Sequence, residues 1–257
     1  AYESRQGRGR RVLLASDWLS CTLAQRVFAV SESIRRQAVA DGLCRADKIE
    51  VLAGGSGNGV DATGRFTPAD EDARAQARQA LGLPREGLVV GFVGRLAVDK
   101  GLGELVGAWE LLQPAHPSAH LLIVGEQDER DGLSQELLAK LKALPAVTCA
   151  GHLPRPELAY AAMDLVALPT YREGFPNVAL EAAAMALPLV ATEVSGCVDA
   201  VLPEQTGLLV PPRDAQALAR GLERYLTSAE LRLAHGRAAR ERVLAWFRQE
   251  EIGRAHV

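Results

Sequence analysis

Leu88-Val-Val-Gly-Phe-Val93, running into Gly94-Arg95-Leu-Ala-Val-Asp-Lys100-Gly101, is where the architecture of this chain becomes legible. The first six residues are a nearly continuous apolar run, the pattern of a strand buried on both faces. Beyond the turn, Leu102, Leu105, Val106, Trp109 and Leu112 recur at helical spacing and predict a helix over Leu102–Leu112. A strand, a glycine-bounded turn carrying two cations and then a helix is a credible phosphate site. Arg95 offers a planar fork to phosphate oxygens and Lys100 a point charge. Two cations beside a helix serve equally well as ordinary surface charges, so a second element has to decide.

Outward from this unit the pattern alternates. Helices are expected over Leu14–Gln25, Ile34–Ala40, Asp70–Leu81, Leu133–Leu144, Pro156–Ala162 and Pro176–Ala186, with two more, Ala215–Leu226 and Ala229–Phe247, closing the chain. Strands are expected at Arg26–Val30 and Ile49–Leu52, and near Leu88, Ala119, Ala146, Asp164, Leu187 and Gly207. Asp164 reads as a turn residue ahead of its strand. Apolar strands alternating with helices imply an α/β fold, a parallel sheet with helices on both faces.

The second element is Glu173-Gly-Phe-Pro-Asn-Val-Ala-Leu-Glu181. Two carboxylates bracket a Gly-Phe-Pro turn that opens a helix, and Pro176 suits the first helical position, where a missing N–H is harmless. The amides after it are unpaired donors at the positive end of a helix dipole. Glu173 in the turn and Glu181 just over one turn into the helix can border one concave site, and carboxylates accept paired sugar hydroxyls well.

The order of Gly94-Arg95…Lys100-Gly101, Glu173-Gly-Phe-Pro…Glu181 and Thr206-Gly-Leu-Leu-Val-Pro-Pro-Arg-Asp214 resembles glycosyltransferase family 4, chiefly the second, donor-binding domain of its GT-B fold. Gly54-Gly-Ser-Gly-Asn-Gly-Val-Asp61, with Phe66 and Pro68, is similar to the segment between that family's two Rossmann-like domains. Ser195-Gly-Cys-Val-Asp-Ala-Val201 fits the stretch before the Thr-Gly strand. The resemblance implies residues 1–53 as the end of an acceptor-binding domain, 54–68 as the inter-domain segment and 69–250 as the nucleotide-sugar domain. It implies Arg95 and Lys100 on the donor diphosphate and Glu173 on the transferred sugar, beside the backbone of Gly174, Phe175, Pro176 and Asn177. Glu181 would take the ribose, and Gly125 and His152 would border the base. It further implies sugar transfer with retention from a nucleotide sugar, a UDP-sugar first among them, to a polysaccharide or lipid-linked acceptor, without metal or other cofactor. A non-catalytic nucleotide-sugar-binding module, and a GT-B epimerase or phosphorylase, remain as alternatives.

Composition agrees with this class. The formal net charge of −3 and the 5% aromatic content argue against a nucleic-acid binder. Cys21, Cys44, Cys149 and Cys197 are scattered, without the spacing of a metal site or disulfide framework, which favours a reducing cytoplasm. No apolar run is long enough to span a bilayer. Arg5, Arg8, Arg10 and Arg11 crowd the start against Glu3; they read as a solvated, frayed end, or as a segment facing the inner side of the membrane.

Two look-alikes fail on context. Gly55-Ser-Gly57-Asn-Gly59-Val60 has Val60 in place of the third glycine of a dinucleotide fingerprint, and Gly94 to Lys100 lacks the Gly-Lys-Ser/Thr of a P-loop. The family's first-domain glycine-rich loop and histidine have no counterpart here, since His116, His120 and His235 lie in no matching segment. The chain by itself is therefore expected to bind donor weakly and transfer little sugar. Glu251 and Ile252-Gly-Arg-Ala-His-Val257 are what a common sequencing-adapter DNA encodes in one frame, and read as a non-native tail.

Overall fold

The computed structural model describes residues 8–52 and 54–249. Glu3, Arg5, Ala53 and the 251–257 segment lie outside the described residues.

The chain opens with α1 (Arg8–Leu23), β1 (Val27–Ala29), α2 (Glu32–Ala40) and β2 (Ile49–Val51). It continues through α3 (Glu71–Ala80), β3 (Val89–Val93), a 3-10 turn at Val98–Lys100 and α4 (Leu102–Leu112). Next come β4 (His120–Val124), α5 (Gln135–Ala143), β5 (Val147–Gly151), α6 (Glu157–Ala162) and β6 (Leu165–Leu168). The last part holds α7 (Asn177–Ala184), β7 (Leu189–Thr192), α8 (Cys197–Ala200), β8 (Gly207–Val210), α9 (Ala215–Thr227) and α10 (Ala229–Trp246).

Six strands form one parallel sheet in the order β5-β4-β3-β6-β7-β8. The order runs outward from β3 in both directions, so the topology reverses between β3 and β6, the place where such sheets open a crevice at their carboxyl ends. Successive strand residues face opposite sides. Val90 and Phe92, Leu121 and Ile123, and Leu165 and Ala167 pack on the side of α4, α5 and α9. Leu122 and Val124, and Val166 and Leu168, pack on the side of α3, α6, α7 and α10. Apart from the edge strand β5, the strands are covered on both faces, which is why they read as near-continuous apolar runs. A second, two-stranded parallel sheet pairs β1 with β2, and a small cluster of Ala29, Cys44 and Ile49 packs under it.

Asp164 does more than turn the chain. It stands before β6 and accepts Val89 N at 2.7 Å and Arg78 Nη2 at 2.9 Å, with Arg74 on its other oxygen. Arg78 is only 3% exposed and also donates to Ala162 O, Arg85 O and Gly87 O. This network ties α3 across the starts of β3 and β6.

Several boundaries differ from the sequence reading, and two of them bear on named residues. α1 begins at Arg8, not Leu14, so Arg10 and Arg11 are helical rather than frayed. Pro176 is the N-cap of α7, not its first helical residue; its ψ of 116° is extended, and the helix starts at Asn177.

The small sheet and the large one meet at α2. Ser33 N lies 3.2 Å from both carboxylate oxygens of Asp199, and Gly196 N donates to Ser33 Oγ at 2.8 Å. The chain end returns to the connecting segment: Val60 N donates to Phe247 O at 2.9 Å and Gln249 N to Val60 O at 3.1 Å. Among the described residues, no helix is long and apolar enough to cross a membrane.

Candidate functional site

The site is built where β3, β4 and β5 end. Gly94 N donates to Val124 O at 2.9 Å, Leu96 N to Glu126 O at 2.7 Å and Gly125 N to Gly151 O at 2.8 Å. The three loops are thus hydrogen-bonded to one another beyond the sheet. Gly125 makes this approach possible. It has φ +143°, and a Cβ there would fall 1.8 Å from Gly94 O. Gly101 plays a similar part with φ +69°, where a Cβ would meet Pro169 O at 1.9 Å. It ends the 3-10 turn and starts α4 directly against the end of β6.

A cavity of about 870 Å³ opens over these strand ends. Arg95, Gly125, His152 and Glu181 line it, so four of the residues nominated from sequence converge on one hollow. Lys100, Glu173, Gly174, Phe175, Pro176 and Asn177 are not in its lining; Lys100 ends the 3-10 turn, and the others run from the loop before α7 into its first residue. Lys100 Nζ and Glu173 Oε1 are 2.6 Å apart, with side chains 17% and 16% exposed. Phe175 turns to the core side, its ring centroid 5.3 Å from that of Phe247.

Glu181 is half-buried on α7. The fully buried Tyr160 donates its hydroxyl to Oε2 at 2.7 Å. Burial pushes the Glu181 carboxyl above its usual range, against the pull of the Tyr160 hydrogen bond. One oxygen is therefore anchored, and the group stays at the cavity wall.

Several residues of the site carried no signal in the sequence reading. Asp99 and Arg172 line the cavity and pair with each other at 3.1 Å. Tyr171 N donates to Asp99 O at 2.8 Å, and the Tyr171 hydroxyl to Glu104 at 2.6 Å; burial, then Glu104, push that phenol up to about 12. The charged loop Glu126-Gln-Asp-Glu-Arg-Asp131 forms another wall, and its Asp128 pairs with Arg95. The two residues of this pair are 33 positions apart in the chain.

Residues 73–242 match the model of the family described as glycosyl transferases group 1. The capsular polysaccharide biosynthesis glycosyltransferase CapM of Staphylococcus aureus is 30% identical over 94% of this chain and 62% of its own length. The sucrose-phosphate synthase structure from Thermosynechococcus elongatus superposes with a TM-score of 0.81 at 29% identity, covering 98% of this chain and 61% of that one. Anabaena HepE, solved in complex with UDP-glucose, gives a TM-score of 0.81 at 25% identity, over 95% of this chain and 65% of that one. The chain thus spans less than two thirds of the length of these relatives.

Proposed function

This chain belongs to the glycosyl transferases group 1 family, and from that premise we propose that it supplies the donor-binding half of a retaining enzyme of glycosyltransferase family 4. In this reading residues 69–250 hold a UDP-sugar, residues 1–53 belong to the acceptor-binding half, and the acceptor is a polysaccharide or a lipid-linked glycan on the cytoplasmic side of the membrane. No metal or other cofactor takes part.

The observation that carries the reading is the convergence of Arg95 from the end of β3, Gly125 from the end of β4 and Glu181 from α7 on one cavity beside the strand-order reversal. Arg95 donates to the diphosphate oxygens in a fork that matches them. Glu181, with Oε2 held by Tyr160, accepts hydroxyls of the ribose through Oε1. The backbone around Gly125 and His152 borders the base. Lys100 reaches the diphosphate from the 3-10 turn, oriented by Glu173, and Glu173 with the first-turn amides of α7 faces the hydroxyls of the sugar.

The chemistry follows from charge. As the bond between the anomeric carbon and the diphosphate oxygen breaks, negative charge grows on the leaving group. Once the donor is bound, Arg95, Lys100 and the positive end of α7 are held near that charge, so they stabilise the transition state without further reorganisation. The acceptor hydroxyl oxygen then bonds to the anomeric carbon on the face the diphosphate has left, and its proton passes to the departing phosphate oxygen. HepE's complex with UDP-glucose supports the choice of a uridine donor.

Calorimetric titration of the chain with UDP, GDP, ADP and NAD tests this. Selective binding of UDP that is lost in Arg95→Ala and in Glu181→Ala is the expected result. Tighter binding of NAD, or UDP binding untouched by both substitutions, would overturn it.

A further inference from the structure

Arg95 is already engaged, and its partner is held far more firmly than Arg95 itself. Asp128 Oδ1 accepts the amides of Arg130 and Asp131, each at 2.9 Å. Asp128 N donates to Leu96 O at 3.2 Å, and Val98 N to Asp131 O at 3.0 Å. The loop carrying Asp128 is therefore bonded along its length to the segment after β3. Its side chain is 14% exposed and that of Arg95 is 60% exposed. A fixed carboxylate meets a guanidinium on a long solvated arm, so Arg95 is the partner that can move. The Asp131 and Arg130 amides, then Arg95, push the Asp128 carboxyl down to about 2, so it is charged at any working pH.

We propose that Asp128 is a positioning residue that parks Arg95 at the mouth of the cavity and competes with the phosphate oxygens of the donor for its guanidinium. This rests on Arg95 being the diphosphate contact, as set out above. Asp128 Oδ2 and the phosphate oxygens ask for the same guanidinium N–H groups. A diphosphate must draw Arg95 off Asp128 before it gains the full contact, so its apparent affinity is reduced by the fraction of time the two remain paired. The guanidinium in turn starts from one defined place instead of many.

Asp128→Asn separates the two roles of this side chain. Its Oδ1 still accepts both loop amides, while its Nδ2 presents only donors toward Arg95. Calorimetry would compare UDP, inorganic diphosphate and uridine on the unaltered chain, on D128N, and on D128N combined with Arg95→Ala. D128N is expected to bind UDP and inorganic diphosphate about two- to fivefold more tightly, the scale of an exposed ion pair. Uridine should bind unchanged, and the gain should shrink once Arg95 is gone. A residue that only shapes the loop would weaken the anions instead. Weaker or unchanged anion binding by D128N overturns the proposal, as does the failure of both anions to bind. If inorganic diphosphate tightens and no nucleotide binds better than it, the role of Asp128 stands and the donor-domain reading falls. If UDP binds and D128N weakens it, the reverse holds.

A second readout leaves the sequence untouched. On adding inorganic diphosphate, the Arg95 Nε–H resonance should shift while the Arg130 and Asp131 amide resonances stay in place. Loop amides that move with no change at Arg95 would overturn the assignment.

Discussion

Lys100 Nζ stands 2.6 Å from Glu173 Oε1, and one residue earlier in each segment Asp99 pairs with Arg172 in the opposite sense at 3.1 Å. The two loops carry the charge orders minus-plus and plus-minus. A slip of one residue would set Lys100 against Arg172 or Asp99 against Glu173, like against like. Their register is therefore specified electrically, in addition to the backbone bond from Tyr171 N to Asp99 O.

Lys100→Met should lower stability by about 1–2 kcal/mol, between the values for exposed and fully buried pairs. The exchange Lys100→Glu with Glu173→Lys should restore most of that stability while leaving UDP binding impaired. Urea unfolding and calorimetry on the same samples check both halves. A swap that recovers no stability would show that the pair is not what holds the loops.

Asp164→Ala should be among the most damaging single changes in the chain. It strips the carboxylate from Arg78, which is 3% exposed, and from the amide of Val89. Removing one partner of a buried pair costs about 3–5 kcal/mol. The urea midpoint should fall accordingly, far from any ligand. A loss below about 1 kcal/mol would mean that water reaches Arg78 and replaces the carboxylate.

At Glu181, stability and binding should oppose each other. Burial raises its folded pKa above the ordinary 4.5. A raised acid contributes stability that is present below 4.5 and lost as pH rises through the folded value. Glu181→Gln should therefore stabilise the chain at neutral pH in the absence of nucleotide. The same change should weaken UDP by roughly ten- to a hundredfold, the scale of a hydrogen bond to a charged acceptor. Loss of both properties together would mean that the carboxylate is structural.

His120 and His235 should give the chain an acid-sensitive stability. Desolvation lowers the pKa of both from 6.5. His235 Nδ1 lies 2.7 Å from the Tyr225 hydroxyl, and His120 Nε2 lies 2.9 Å from Thr148 Oγ1. A lowered histidine contributes stability that is present above 6.5 and lost as pH falls through the folded pKa. Urea midpoints measured from about pH 8 to about pH 5 should decline on the acid side of 6.5. His235→Gln should flatten part of that decline.

The sheet was legible because each core strand is apolar on both faces, and α4 was legible residue for residue because Gly101 sets its start and Leu112 ends its apolar spacing. Arg95 and Glu181 were reachable because each lies close to a recognisable strand or turn, and Gly125 and His152 through the family resemblance. What sequence could not provide was pairing across distance. Lys100 and Glu173 are 73 residues apart and Arg95 and Asp128 are 33 apart. Nothing local marks which of several carboxylates each cation will meet. Asp164 does stand at the turn before β6, but its pairing with Arg78, 86 residues earlier, was hidden for the same reason.

The close approach of Gly125 to Gly94 O bears on how quickly the cavity can be filled. Because the loops after β3, β4 and β5 are bonded to one another as the chain folds, their ordering entropy is settled before any ligand arrives. Binding then asks only side chains such as Arg95 to change rotamer, a motion of nanoseconds or less. Association should follow single-exponential kinetics that stay linear in ligand concentration, with no plateau from a slow backbone rearrangement.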